Sequence, residues 1–254
     1  MDRLLGRLVA LPLVALSASA ALQGARIAAA LKRFRADPPA TCFEHHPPRP
    51  RARVLVLGDS TGVGIGAGRS DAAVAGLLAR DFPGAAVTNA CRNGARVADV
   101  LAQVRSGVFG AEPFDLVLLH VGGNDVIRLT PASSLARDAE ALLEALGGIG
   151  HRTIWLGSAN VGLAPVFVPP FSWVLSARTR RASELFARLA AERGAEFVGF
   201  FYERGEDRFS ARPEVYFAAD RLHPSASSYA FCYREMLRRT PLRRWLAPAA
   251  ARAG

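Results

Sequence analysis

The sequence predicts a three-layer α/β/α sandwich with a five-stranded parallel sheet. Between residues 53 and 239, short aliphatic or β-branched runs alternate with longer amphipathic stretches, as parallel strands joined by crossover helices require. The length of 254 residues, 50% of them hydrophobic, suits one α/β domain with short additions at its ends. Intrinsic disorder is therefore excluded, and three cysteines are too few for a small disulfide scaffold.

The pattern predicts five short strands and five longer helices. The strands are expected at residues 53–57, 85–89, 115–120, 153–157 and 196–200, and the helices at residues 71–82, 96–107, 133–147, 174–193 and 224–239. In open parallel sheets, sites form beyond the carboxyl ends of the strands. The residues that follow each strand are therefore the candidates for chemistry.

The net charge of +10 is concentrated at the two ends of the chain. Residues 26–53 and residues 234–254 each carry +5, whereas residues 54–233 carry −1. A nucleic-acid-binding domain needs a basic face on its folded body, so we expect no nucleic-acid partner. Basic ends fit an anionic membrane surface, although 31 of the 32 basic residues are arginine and a compositional bias explains the charge equally well.

An uncharged apolar run occupies residues 8–22, with Arg3 and Arg7 before it and the small-residue triplet Ala18-Ser19-Ala20 within it. This pattern is typical of a signal peptide, because the run is shorter than the roughly 20 residues that a spanning helix needs. An uncleaved anchor is the alternative, and the more numerous basic residues after the run would then hold the domain in the cytoplasm. We expect the protein in the cell envelope, either exported or anchored.

The chain is accordingly divided into four parts. They are a signal peptide or N-terminal membrane anchor (1–35), a proline-rich tether (36–52), the folded α/β domain (53–239) and a basic C-terminal tail (240–254).

Polar residues cluster after three strands and again before the last helix. The clusters are Gly58-Asp59-Ser60-Thr61-Gly62, Asn93-Gly94, Gly122-Gly123-Asn124-Asp125 and Asp220-Arg221-Leu222-His223-Pro224. Because the carboxyl ends of parallel strands meet at one edge of the sheet, we expect the four clusters to converge.

These residue types permit acyl transfer by a serine nucleophile. Ser60 needs a base, and His223 is the histidine that the pattern places at the active edge. The other histidines are in the tether (His45 and His46), inside strand three (His120) or at the opposite edge (His151). Asp220 lies three residues before His223, a spacing that lets its carboxylate accept from imidazole Nδ1 and leaves Nε2 for the serine. Candidate oxyanion donors are the Asn124 side chain and the backbone N–H groups of Gly94 and Ser60.

Together the clusters resemble the blocks of the SGNH or GDSL hydrolases, and the single-domain bacterial esterase and lysophospholipase branch most of all. The resemblance covers residues 53–239 and implies a flavodoxin-like fold and an esterase or lipase that uses neither a metal nor another cofactor. It implies Ser60 as nucleophile, Asp220 and His223 as the rest of the triad, and Gly94 and Asn124 in the oxyanion hole. The second block is Asn89-Ala90-Cys91-Arg92-Asn93-Gly94, and it departs from the usual pattern, since Cys91 and Asn93 stand where glycine and serine are common.

Three other interpretations share part of this pattern. Gly58-x-Ser60-x-Gly62 fits the nucleophile elbow of α/β-hydrolases, but here the serine follows the first strand. Gly62-x-Gly64-x-x-Ala67 fits a loose dinucleotide-binding fingerprint, but strand two lacks the acidic residue that would bind a ribose. A catalytically silent binding protein is the third, and no triad residue is missing to favour it.

The segment from residue 159 to residue 175 is apolar and proline-rich, and it carries Phe167, Phe171 and Trp173. It leaves the active edge after strand four, so it is predicted to line an acyl pocket, with ordinary packing over the sheet as the alternative. A pocket of this kind near a membrane favours lipid-like or short acyl esters as substrates. The competing interpretation is an O-acetyl esterase or acyltransferase that acts on an envelope polysaccharide.

Overall fold

The predicted fold class is confirmed by a computed structural model, which describes residues 17–33 and 41–246. Five parallel strands form one sheet in the order β2-β1-β3-β4-β5. The strands are β1 (Ala52–Gly58), β2 (Ala85–Asn89), β3 (Leu116–His120), β4 (Thr153–Ala159) and β5 (Glu196–Phe200). Each of them lies within two residues of its predicted bounds.

Helices cover both faces of this sheet, and all five predicted helices are present. The helices are α1 (residues 17–33), α2 (Ser60–Val63), α3 (Val74–Asp81), α4 (Val97–Arg105), α5 (Gly123–Ile127), α6 (Ala132–Leu146), α7 (Phe171–Glu192), α8 (Arg208–Ala211), α9 (Pro213–Tyr216), α10 (Ala226–Arg239) and α11 (Leu242–Leu246). Two 3-10 turns, Ser70–Ala72 and Val161–Leu163, precede α3 and α7. The helix predicted from residue 71 therefore begins later, at Val74.

The sheet is buried on both faces, as β1 illustrates. Val54 and Val56 pack with side chains of α3 and α10, whereas Leu55 and Leu57 pack with side chains of α4, α6 and α7. All four side chains are almost inaccessible to solvent. Because neither face meets water, the strands are continuous hydrophobic runs and do not alternate with polar residues.

The strand order reverses at β1, and this reversal creates a crevice. The chain passes from β1 to β2 on one side and later to β3 on the other. Gly58 at the end of β1 is in register with His120 at the end of β3, so the loops that follow both strands start at the same level. A crevice of this kind at the carboxyl edge is where open α/β sheets bind their ligands.

The segments at the two ends of the chain partly pack against the domain. In the tether, His45 forms an antiparallel bridge with Val87 of β2, and in the C-terminal segment Leu242 and Leu246 are buried in the core. The rest of the predicted signal or anchor (1–16 and 34–35), tether (36–40) and tail (247–254) lies outside the described residues. Within residues 17–33 and 41–246, no helix is both long enough and apolar enough to cross a membrane.

Candidate active site

A tight turn joins β1 to α2 and presents Ser60 at the carboxyl edge of the sheet. Asp59 caps the short helix, and its Oδ1 accepts hydrogen bonds from the Thr61 amide at 2.9 Å and from the Thr61 hydroxyl at 2.7 Å. Gly58 has a φ of 142°, and a Cβ there would lie 1.8 Å from the carbonyl oxygen of His120. A Cβ on Gly62 would lie 2.2 Å from Cys91 Sγ. The close packing of this turn therefore requires both glycines.

The sequence-predicted triad residues meet in the structure. His223 Nε2 is 3.0 Å from Ser60 Oγ, and His223 Nδ1 is 2.5 Å from Asp220 Oδ2. A carboxylate can only accept, so Nδ1 carries the proton and Nε2 is free to accept one from the serine. The arrangement is that of a nucleophile, a base and an orienting acid.

Backbone groups fix the position of the Asp220 carboxylate. Its Oδ1 accepts from the amides of Leu222 at 2.9 Å and His223 at 3.0 Å, and Arg221, which lies between Asp220 and Leu222, has a φ of 65°. Burial opposes ionisation of Asp220, but the hydrogen bond and charge of His223 hold the pKa of this carboxyl below its ordinary value. Asp220 is therefore ionised at neutral pH and can stabilise an imidazolium.

Asn124 lies beside Ser60 in the wall of the same cavity. Its Nδ2 donates to the carbonyl oxygen of Ala95 at 3.1 Å and is 3.5 Å from Asp59 Oδ2. Gly94, directly before Ala95, is in a left-handed turn with a φ of 76° and is not among the residues that line the cavity. The structure thus brings Asn124 to the nucleophile and places Gly94 one residue from a partner of Asn124.

The side chain of a second asparagine, Asn89, links the loop after β2 to the nucleophile turn by hydrogen bonds. It is buried, donates from Nδ2 to the carbonyl oxygen of Gly62 at 2.9 Å and accepts from the amide of Cys91 at 3.2 Å. Asn89 therefore holds the α2 turn against the neighbouring loop without touching the cavity. The first residue of the second sequence block has a structural role here.

Behind the triad, a cavity of about 160 Å³ extends between the sheet edge, the segment after β5 and α10. Ser60, Asn124 and His223 are partly exposed polar residues of the lining, and we call this part of the cavity its mouth. Its walls are mostly apolar, and the large wall side chains include Leu156, Phe200, Phe209, Tyr216, Phe217, Leu222 and Tyr229. An apolar cavity that opens beside a nucleophile suits an acyl chain.

Four buried side-chain polar atoms have no hydrogen-bond partner in the part of the chain that the structure describes, and two of the four belong to residues that line this cavity. These two are His120 Nε2 and Asn160 Oδ1. Burial lowers the pKa of His120 to about 4, so its imidazole is neutral at ordinary pH. His120 is therefore distinct from His223, whose ring is engaged on both sides.

The predicted pocket residues Phe167, Phe171 and Trp173 do not line the cavity, and this prediction was wrong. Phe171 and Trp173 start α7 and are 37% and 63% exposed, while Phe167 is partly buried and packs against the cluster around Ala30 of α1 and against the core on the α7 side of the sheet. The chain reaches the surface by Phe171, so the end of the apolar run lies outside the cavity. The aromatic residues Phe209, Tyr216 and Phe217 between β5 and Asp220 were the available signal, and sequence reasoning missed them.

Within residues 17–33 and 41–246, no three His, Cys, Asp or Glu side chains are placed together as metal ligands. The three cysteines are free thiols, and burial raises the pKa of Cys91 and of Cys232.

Comparison with known proteins places this geometry in context. The GDSL-like esterase Rv1075c of Mycobacterium tuberculosis is 27% identical over 187 residues, which are 70% of this chain and 58% of that relative. This chain therefore spans less than two thirds of the relative's length.

Solved structures share the fold. A member of the lipolytic G-D-S-L family from Veillonella parvula has a TM-score of 0.58 at 16% identity, over 73% of this chain and 96% of its own. The acetylxylan esterase Axe2 from Geobacillus stearothermophilus has a TM-score of 0.53 at 20% identity, over 75% of this chain and 94% of its own. The profile of the GDSL-like lipase/acylhydrolase family matches residues 56–231, which confirms the resemblance of the four sequence blocks: the chain belongs to that family.

Proposed function

We propose that this protein is a serine esterase that hydrolyses carboxylic esters through Ser60, His223 and Asp220. The observation that carries the proposal is the hydrogen-bonded series from Asp220 through His223 to Ser60 Oγ, at the mouth of an apolar cavity. Membership of a lipase and acylhydrolase family supports the same reaction class.

In the proposed mechanism, His223 Nε2 takes the proton of Ser60 as Oγ attacks the ester carbonyl carbon. The imidazolium is stabilised by Asp220 and then donates its proton to the leaving alcohol oxygen. The acyl group remains on Ser60, and a water molecule attacks it with His223 again as base. This second step releases the carboxylic acid and restores the serine.

The negative charge on the tetrahedral intermediate needs donors that are already in position. We assign this role to the backbone N–H of Ser60, the backbone N–H of Gly94 and the Asn124 side-chain amide. Asn124 lines the cavity beside Ser60, and its bond to Ala95 holds it next to the Gly94 turn. Donors fixed in this way stabilise the developing charge without reorganising during the reaction.

The acyl side of the substrate is proposed to enter the apolar cavity. Leu156, Phe200 and Phe209 are nearly inaccessible to solvent and offer aliphatic and aromatic contacts. Each methylene buried there adds about 0.8 kcal/mol of binding energy. Esters with acyl chains longer than acetyl are therefore expected to react best.

A second candidate is an O-acetyl esterase or acyltransferase that acts on a polysaccharide. The unpartnered polar atoms His120 Nε2 and Asn160 Oδ1 in the cavity wall favour a substrate with a hydroxyl or carbonyl group at that depth. The activity of the acetylxylan esterase is a property of that neighbour, whose 20% identity to this chain supports the shared fold.

The test is hydrolysis of a series of p-nitrophenyl esters, from acetyl to long acyl, by the full chain and by Ser60→Ala. The proposal predicts serine-dependent hydrolysis that increases with chain length to an optimum. Serine-dependent activity limited to acetyl esters would favour the second candidate. Equal rates in both proteins, or hydrolysis of no ester by either, would contradict a serine esterase.

A further inference from the structure

Helix α1 is fastened to two loops that lie far away in the sequence. The buried side chain of Gln23 donates to the carbonyl oxygen of Val166 at 3.1 Å and accepts from the amide of Val168 at 2.9 Å. Arg26 donates to the carbonyl oxygen of Pro165 at 3.0 Å, and Arg33 donates to that of Ala219 at 3.2 Å. These residues follow the Ala18-Ser19-Ala20 triplet, so cleavage after Ala20 would leave the contacts in place.

The face of α1 that points inward lies directly behind the wall of the active-site cavity. Ala30 is buried against Ala164, with Phe217 and Leu222 packed at the same cluster. Ala164, Phe217 and Leu222 also line the cavity. The cavity wall is therefore one side chain thick at this point, with α1 on its outer surface.

Helix α1 and the start of α7 both expose large apolar side chains. Among the described residues, eight large hydrophobic side chains are exposed, and six of them are in these two segments. The six are Leu22, Ile27, Leu31, Phe171, Trp173 and Val174. The Ser19 hydroxyl donates to the carbonyl oxygen of Pro169, two residues before α7 begins, so the two segments are neighbours. Such a concentration of exposed apolar side chains marks an interaction surface.

Basic groups border the same surface. A cleft of about 200 Å³ between α1 and the Asp220 loop is lined by Arg26, Arg33 and Arg221, with Asp220 as its one acidic lining residue. Within residues 17–33 and 41–246, none of these three arginines forms a salt bridge with an acidic side chain. Lys32 is also exposed on α1. Unneutralised cations beside exposed apolar groups are complementary to anionic lipid headgroups above an acyl layer.

We propose that α1 and the first turn of α7 form a surface that docks on a bilayer of anionic phospholipid. The apolar side chains enter the interfacial layer, with Trp173 at headgroup depth, and the basic groups contact headgroup phosphates. This surface lies directly outside the cavity wall and agrees with the expected location in the cell envelope. The inference goes beyond the proposed esterase reaction and does not depend on it.

The test is co-sedimentation of the full chain with phosphatidylcholine vesicles that contain or lack phosphatidylglycerol. Binding is expected only to the anionic vesicles and is expected to weaken as salt is raised. The combined variant Leu22→Ser, Ile27→Ser, Leu31→Ser should bind about tenfold or more weakly. The matched control is Val108→Ser, a change at a 65% exposed side chain away from this surface, and it should bind like the native chain.

Further measurements separate docking from misfolding and from self-association. The triple variant should keep the native circular dichroism spectrum, a control that does not depend on the proposed activity. If the protein is an esterase, the variant should also hydrolyse a soluble acetyl ester at the native rate. Lys32→Glu alone should weaken binding to anionic vesicles. In the native chain, brominated lipid should quench the fluorescence of Trp173, and Trp173→Phe should lose that part of the quenching.

Equal binding of the native chain and the triple variant, or no binding of the native chain to anionic vesicles, would overturn the proposal. It would also be overturned if the native chain were a dimer in solution and the triple variant a monomer, because a second copy would then cover this surface.

Discussion

The mouth and the interior of the active-site cavity are built from opposite kinds of contact. At the mouth, His223 is hydrogen-bonded to Ser60 on one side and to an ionised Asp220 on the other. In the interior, His120 is buried with its Nε2 unpartnered among the described residues, and its pKa is lowered to about 4. One histidine is oriented to move a proton, and the other is held neutral.

The two histidines behave differently because their side chains have different partners. A carboxylate beside an imidazole stabilises the charged ring, whereas burial without a charged partner disfavours it. Asp59, also buried near the mouth, has its pKa raised by burial, although it accepts hydrogen bonds from Thr61. Of the two buried carboxyls beside the nucleophile, Asp220 alone contacts His223.

The largest effect is expected from Asp220→Asn. The amide can donate to Nδ1, which would place the imidazole proton on Nε2 and remove the base from Ser60. By analogy with serine proteases, kcat for a p-nitrophenyl ester should fall by about 10⁴-fold. The matched control is Asp207→Asn. Asp207 is buried like Asp220, but it lines the cavity and caps α8. A similar loss in both variants would contradict an orienting role specific to Asp220.

Asn124→Ala should have the next largest effect. Loss of one oxyanion donor is expected to lower kcat by about 10²–10³-fold with little change in KM, because the interaction is made in the transition state. Asn93→Ala changes an exposed amide next to the Gly94 turn and should leave kcat within a few-fold of native. A loss of only a few-fold in Asn124→Ala would remove this side chain from the oxyanion hole.

The mouth could be predicted from the sequence because each of its parts lies in a short segment directly after a strand or before a helix. Ser60, Asn124 and the pair Asp220 and His223 each stand in a local pattern, and the parallel sheet brings those patterns to one edge. The geometry of the mouth follows from strand order and a few local caps. Asp59 caps the turn at Ser60, and Gly58 permits the close approach of that turn to His120.

The interior could not be predicted in this way, because its wall is assembled from side chains far apart in the chain. Leu156, Phe209 and Cys232 come from β4, α8 and α10, and no local pattern says that they meet. Phe171 and Trp173 are equally apolar but lie on the outer surface, since hydrophobicity alone does not tell which way a loop turns. The contacts of Gln23 with residues 166 and 168 are similarly invisible in the sequence.

The interior histidine should leave a signature in the pH dependence of stability. Because burial lowers the pKa of His120 from 6.5 to about 4, the unfolded chain binds a proton between those pH values that the folded protein does not. The free energy of unfolding should therefore fall as pH is lowered through this window, by about 3 kcal/mol from this residue.

His120→Gln removes this titration and keeps a polar side chain of similar reach. Denaturant unfolding of both proteins at several pH values should show the native chain losing about 3 kcal/mol more than the variant between pH 6.5 and pH 4. The difference between the two cancels the contribution of Asp220, whose lowered pKa also makes stability fall at acid pH. Parallel pH profiles would show that His120 is not held neutral by burial.

The smallest effect is expected at the cavity wall. Cys232 of α10 lines the cavity, and burial raises the pKa of its thiol to about 12, so the side chain is uncharged and behaves as a small apolar group. Cys232→Leu should fill space that an acyl chain would occupy and remove room for about two methylenes, each worth about 0.8 kcal/mol. kcat/KM for long acyl esters should then fall by about tenfold, while that for the acetyl ester stays near native.

Cys42→Leu is the matched control, because Cys42 is also a partly buried free thiol but does not line the cavity. It should leave the ratio of long-chain to acetyl activity unchanged. An unchanged ratio in Cys232→Leu would mean that the acyl chain does not enter this cavity, even if the triad reacts as proposed. An equal fall for every ester would indicate a shift of α10 that reaches His223 through Pro224, so the ratio of the two activities, and not either rate alone, tests the role of the wall.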